Sequence, residues 1–190
     1  MCFDIDSRPP LPPMRGGALD AGRLTLRSQD GTAVPAYSAL ADTPVGAGIV
    51  IVPDVRGLHP YYEELAMRFA EAGVHAVTVD LFGRTAQSAE RGDGFEHEAH
   101  VMALTAQGVM DDVAAAIAHL RTPQGGAPER AYTTGFCLGG RISFLQAGAG
   151  LELDGVIGLY GWPAGPHRTG LPSPADEAHG FTCDVLAIYG

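Results

Sequence analysis

From Ile49 onward, short apolar runs alternate with amphipathic stretches. Residues 49–52, 76–79, 131–134, 156–160 and 185–189 are continuously apolar rather than alternating, the pattern of parallel strands buried on both faces. Between the first two runs, Tyr62, Leu65, Ala66 and Phe69 recur at helical spacing, and Gly73 stands where a helix C-cap belongs. Met110, Val113, Ala114 and Ile117 mark a second helix, and residues 138–147 a third that directly follows a strand. Earlier in the chain the period changes. Leu24 and Leu26, then residues 33–38, alternate about the turn Asp30-Gly31, which predicts a β-hairpin. Residues 1–20 carry Pro9, Pro10, Pro12, Pro13, Gly16 and Gly17 with no apolar period, and are expected to lie as an arm over the domain.

Strand and helix in alternation predict an α/β domain over residues 21–190, with a mostly parallel, doubly wound sheet and helices on both faces. No internal repeat divides it, and 46% hydrophobic residues in 190 supply one core. In such sheets the functional site lies beyond the carboxyl ends of the strands. That rule selects Asp54, Val55 and Arg56, then residues 80–84, 135–139 and 160–162.

The third of these segments carries the sharpest chemistry. Gly135 and Gly139 flank Cys137 between an apolar strand and a helix, the context of a nucleophile elbow, usually Gly-x-Ser-x-Gly. Glycines permit the crowded turn, the central side chain stands clear of the sheet, and the helix start favours negative charge there. The competing reading is an ordinary buried cysteine. Acyl transfer also needs oxyanion donors, for which the N–H groups of Leu138 and Val55 are the candidates. Cys2 and Cys183 lie in the arm and ahead of a strand, away from that edge.

Composition narrows the alternatives. A formal net charge of -10 argues against nucleic-acid binding. No apolar run approaches the roughly 20 residues of a membrane span, and no leader pattern opens the chain, so no membrane association and a cytoplasmic location are expected. Three dispersed cysteines offer neither a disulfide framework nor a metal site. No Gly-x-Gly-x-x-Gly follows the strand at 49–52, where Pro53-Asp54-Val55-Arg56-Gly57 stands instead, which argues against a nucleotide-binding oxidoreductase.

Four segments together resemble the dienelactone hydrolase family: Pro53-Asp54-Val55-Arg56-Gly57, Val79-Asp80-Leu81-Phe82-Gly83-Arg84, Gly135-Phe136-Cys137-Leu138-Gly139-Gly140 and Gly158-Leu159-Tyr160-Gly161. Their order and spacing match from about Leu24 to the last residue, and Met1-Cys2-Phe3-Asp4 looks like the arm of bacterial members. The resemblance implies an α/β-hydrolase fold and a Cys-His-Asp triad with Cys137 as nucleophile. It also implies that Asp54 is an acidic partner of the thiol, that Arg84 clamps a substrate carboxylate, that Val55 and Leu138 form the oxyanion hole, and that Tyr160 lines the pocket. Arg56, with His59, ranks next as a contact for an anionic substrate. The substrate implied is a small ester or lactone, hydrolysed without a cofactor by a monomer or small homo-oligomer.

Two departures qualify the match. Familiar members carry glutamate where Asp54 stands, so a shorter arm must reach the thiol. The triad acid and histidine should follow the nucleophile in the order Cys, Asp, His. Asp154 and Asp184 precede strands and so sit at the wrong edge, and Asp176 and His179 are the pair left at the right one. The sequence therefore reads as lacking the C-terminal part of a complete hydrolase, and a non-catalytic or regulatory α/β-hydrolase-like binding protein is the alternative function.

Overall fold

The computed structural model describes residues 4, 6–10, 18–86, 88, 90–92 and 94–190. Strands β1 (Ala18–Arg27) and β2 (Ala33–Ala41) pair antiparallel as the expected hairpin. At its turn Gly31 takes a positive φ of 87°, and Thr32 N–H donates to Asp30 Oδ1 at 3.0 Å. β3 (Ala47–Val52), β4 (Val74–Val79), β5 (Arg130–Phe136), β6 (Gly155–Leu159) and β7 (Asp184–Ile188) complete one sheet in the order β1-β2-β4-β3-β5-β6-β7. β2 joins β4 antiparallel, whereas β4, β3, β5, β6 and β7 run parallel. Placement of β3 at the centre means that the chain crosses over on both sides of it, as doubly wound sheets do.

Helices α1 (Pro60–Glu71), α3 (Ala106–Leu120) and α4 (Leu138–Gln146) cover the two faces, and alternate residues of β3 show how. Ile49 and Ile51 pack with Tyr62, Ala66 and Ala70 of α1, whose spacing of four keeps one stripe on the sheet. Val50 and Val52 point the other way and join Val113 and Ile117 of α3 and Ile142 of α4. Each fully buried Val, Ile or Leu contributes on the order of 2 kcal/mol. α1 starts cleanly because His59 caps it, its Nδ1 accepting from Tyr61 N–H at 3.1 Å, and Pro60 fits the first turn. Gly73 follows with φ 88°, and a Cβ there would meet Thr43 O at 2.9 Å.

Some sequence expectations need correction. The run 185–189 is not buried: Val185, Leu186, Ile188 and Tyr189 are exposed, because β7 lies at the sheet's edge and, among the described residues, packs chiefly on β6 with no helix laid across its faces. Two short helices, α2 (His97–Met102) and α5 (Pro174–Glu177), escaped the sequence because each buries a single residue and so shows no apolar period. Of the expected arm, residues 1–3, 5 and 11–17, with Cys2, lie outside the described residues. β1 begins at Ala18, inside the stretch read as arm, while Arg8 pairs with Glu64 of α1 and Pro9 is buried. Among the described residues no helix is long and apolar enough to cross a membrane.

Candidate active site

β5 delivers its last residue, Phe136, beside Leu159 of β6, and the next N–H, that of Cys137, donates to Leu159 O at 3.0 Å. The chain then reverses sharply into α4. Cys137 sits at φ 54° and ψ −113°, a left-handed backbone that costs a non-glycine residue about 1–3 kcal/mol. Its neighbours make that conformation compulsory. A Cβ on Gly139 would fall 2.1 Å from Val52 O and 2.3 Å from Pro53 O, and one on Gly135 would fall 1.9 Å from Gly139 O. Strand, turn and helix are thus packed backbone to backbone, which is why both flanking residues are glycine.

The half-buried Cys137 opens on a cavity of about 380 Å³. Val55 and Leu138 line the same cavity, so the two expected oxyanion donors and the thiol are brought together. Leu138 opens α4, and its N–H is one of those a helix leaves without an intrahelical partner. Arg141, Trp162, Pro166, His167 and Arg168 form the rest of the wall.

The remaining expected residues fall elsewhere. Asp54 is buried, but its carboxylate is taken up by Arg56: Nη2 donates to Oδ2 at 2.9 Å, Nε to Oδ1 at 3.1 Å, and Arg56 N–H to Oδ1 at 2.9 Å. Asp54 N–H in turn donates to Tyr62 Oη at 3.0 Å. Arg84 is not brought to the cavity at all. Its guanidinium donates to Asp112 (Nη2–Oδ1 2.7 Å, Nε–Oδ2 3.0 Å), Ser28 Oγ (3.0 Å), Thr32 Oγ1 (3.1 Å) and Asp30. Asp112 and then Asp30 raise its pKa, and Arg84 holds Asp30 well below the usual carboxylate range. That residue ties the first hairpin to α3. Tyr160, at φ 41°, is exposed beside Phe136, outside the cavity lining. Asp176 and His179 are exposed, and His179 Nδ1 meets the Asp176 backbone carbonyl rather than its carboxylate.

Sequence reasoning did not anticipate Arg141, His167 and Arg168. The edge rule reached as far as Trp162 after β6, and the loop simply continues along the same edge. Arg141 holds that loop in place. Its Nη1 donates to Trp162 O at 2.9 Å, and its Nη2 to Gly165 O at 2.8 Å and Leu171 O at 3.1 Å. His167 Nδ1 lies 2.7 Å from Thr169 Oγ1. Among the described residues no group of three His, Cys, Asp or Glu converges as metal ligands would.

Several known proteins are similar to this chain. The family model described as the dienelactone hydrolase family matches residues 34–190. A Yersinia pestis protein provisionally named carboxymethylenebutenolidase is 29% identical over 176 residues, 90% of this chain and 65% of the relative. Carboxymethylenebutenolidase of Rhodococcus opacus is 28% identical over 195 residues, 100% of this chain and 71% of the relative. A crystal structure provisionally named dienelactone hydrolase, from Klebsiella pneumoniae subsp. pneumoniae, superposes with a TM-score of 0.76 at 28% identity, covering 88% of this chain and 71% of that one. The chain spans about 65% of the length of the first curated relatives it matches. With its mostly parallel α/β-hydrolase sheet and a family match over most of its length, the chain belongs to the dienelactone hydrolase family.

Proposed function

We propose that this protein hydrolyses a small ester or lactone, with Cys137 as nucleophile. The sulfur attacks the carbonyl carbon, the N–H groups of Val55 and Leu138 hold the developing oxyanion, and expulsion of the alcohol leaves an acyl-enzyme that water cleaves. Such chemistry uses a histidine to take the thiol proton and return it to the leaving group. The resemblance places that histidine after the nucleophile, behind an aspartate. The observation that supports the reading is the backbone at Cys137: a positive φ, in a turn packed tightly around Gly135 and Gly139, presents the residue to a cavity that Val55 and Leu138 also line.

Two measurements on the protein expressed from its complete reading frame test it. Iodoacetamide is expected to label Cys137 near neutral pH, and a p-nitrophenyl ester to be turned over by the native protein and not by Cys137→Ala. An inert thiol with no turnover would instead support the non-catalytic binding protein.

A further inference from the structure

In the loop after β3, every amide from Asp54 to His59 but one has an acceptor within the protein. Asp54 N–H donates to Tyr62 Oη, Arg56 N–H to Asp54 Oδ1, Gly57 N–H to Asp54 O at 3.1 Å, Leu58 N–H to Asp80 Oδ1 at 3.0 Å and His59 N–H to Gly57 O at 2.7 Å. The N–H of Val55 meets no acceptor among the described residues, and Val55 lines the Cys137 cavity. A donor left over in a loop whose other donors are all engaged suits an oxyanion, on condition that the loop is held still.

The neighbouring strand supplies the hold. Asp80, the first residue after β4, is fully buried; its own N–H donates to Pro35 O of β2 at 2.8 Å, while its carboxylate crosses to Leu58. Gly57 turns against that carboxylate at φ 67°, and a Cβ there would lie 2.6 Å from Oδ1. Arg91 fixes Asp80 in turn. Both side chains are fully buried, and the guanidinium donates to both oxygens, Nη2 to Oδ2 and Nε to Oδ1 at 3.2 Å. Nη1 donates to the carbonyls of Ser88 and Glu90, the latter at 2.9 Å, and the guanidinium carbon stands 4.5 Å from the centre of the Phe95 ring. A carboxylate gripped at both oxygens by one planar fork does not rotate, so the oxygen given to Leu58 keeps its place.

We propose that Arg91, acting through Asp80, positions the Val55 N–H for the oxyanion. Arg91 lies outside the cavity lining, so it is a positioning residue and not a catalytic one. The inference rests on the reading of Cys137 as nucleophile and deepens it, because it names what holds one of the two oxyanion donors.

Two reactions of the same sulfur, in the protein expressed from its complete reading frame, test it. p-Nitrophenyl acetate acylates Cys137: sulfur bonds to the carbonyl carbon, charge gathers on the carbonyl oxygen, and p-nitrophenolate departs with the electron pair of the broken bond while the thiol proton passes to base or solvent. Iodoacetamide alkylates the same sulfur by direct displacement of iodide, and no charge gathers on a carbonyl oxygen. A change in folding or in thiol ionisation moves both rates alike, so their ratio at the Cys137 peptide, read by mass spectrometry, reports the oxyanion donors. Loss of a whole donor costs about 10²–10³ in rate, and the acylation-to-alkylation ratio is expected to fall about tenfold or more in Arg91→Gln. Arg91→Lys keeps the charge on Asp80 without the fork; it is expected to fall less, and it carries the test if the glutamine variant does not fold. Asp154→Ala removes the acceptor of Ala131 N–H at the opposite edge of the sheet, and is expected to lose stability with the ratio unchanged. Native ratios in both Arg91 variants would overturn the proposal and leave the hydrolase reading in place. A native protein that is alkylated at Cys137 but never acylated would overturn both.

Discussion

Asp54 and Arg56 stand two residues apart in the turn after β3 and form a buried ion pair, Nη2 to Oδ2 at 2.9 Å, with side chains 1% and 5% exposed. The pair fixes the loop from which Val55 reaches the cavity, so its first effect is on geometry. Removing one member strands the other charge, at a cost of about 3–5 kcal/mol. Asp54→Ala is expected to lower the denaturant midpoint by that scale, and Asp54→Ala combined with Arg56→Leu to recover part of it. Equal losses in the single and double variants would show that the pair does not hold the turn.

Gly139→Ala sets two effects against each other. Alanine in place of glycine favours a helix by up to about 1 kcal/mol. Against that gain, the new methyl would sit 2.1 Å from Val52 O and 2.3 Å from Pro53 O, both backbone atoms of the sheet. Crowding of a packed interior costs about 1–3 kcal/mol where side chains can move, and backbone gives less readily, so crowding wins. The variant is expected to melt lower and to label more slowly at Cys137. A rise in Tm with unchanged labelling would disprove the close approach of β3 to the elbow.

What the sequence made legible follows from the range of each signal. The parallel strands and α1, α3 and α4 were visible because their apolar positions repeat at a fixed period, and the elbow because Gly135 and Gly139 flank Cys137 at a fixed local spacing, although the contacts that require Gly139 come from Val52 and Pro53, far along the chain. The exposure of β7 was not, since an apolar run looks the same at the edge and in the centre of a sheet. Arg84 shows the same limit: Asp30 and Asp112 lie 54 and 28 positions away, and no local pattern says that they will meet it. The converse holds for Arg168, which reaches the cavity because Arg141, buried in α4, gathers a loop that has no periodic signal.

Arg84 is therefore expected to matter for stability and not for substrate charge. Asp112 is nearly buried, and burial raises its pKa even against the lowering by Arg84. Arg84→Gln leaves that carboxylate without its ion-pair partner, with an expected loss of about 2–4 kcal/mol in urea unfolding. Asp112→Asn is expected to cost less in the Arg84→Gln background than in the native protein. The ratio of kcat/KM for an anionic ester to that for a neutral one is expected to match the native value, and a tenfold fall in that ratio would return Arg84 to the substrate.

Histidines set the response to acid. His75 is buried in β4, its Nδ1 accepts from Ala41 N–H at 3.1 Å, and burial lowers its pKa from the ordinary 6.5. Burial lowers His119 as well, and His167 is lowered by burial and then by the two cavity arginines. As pH falls through the ordinary imidazole value, the unfolded chain binds protons that the folded chain refuses, so stability falls with pH in that window. Asp112, raised by burial, works in the opposite direction, and a comparison at one histidine removes its contribution. His75→Asn offers an amide oxygen near the place of Nδ1 and cannot be protonated. Urea midpoints from about pH 7.5 to about pH 5.5 are expected to fall less steeply in this variant than in the native protein. Parallel slopes would mean that His75 accepts a proton in the folded state, and that the bond to Ala41 does not depend on a neutral ring.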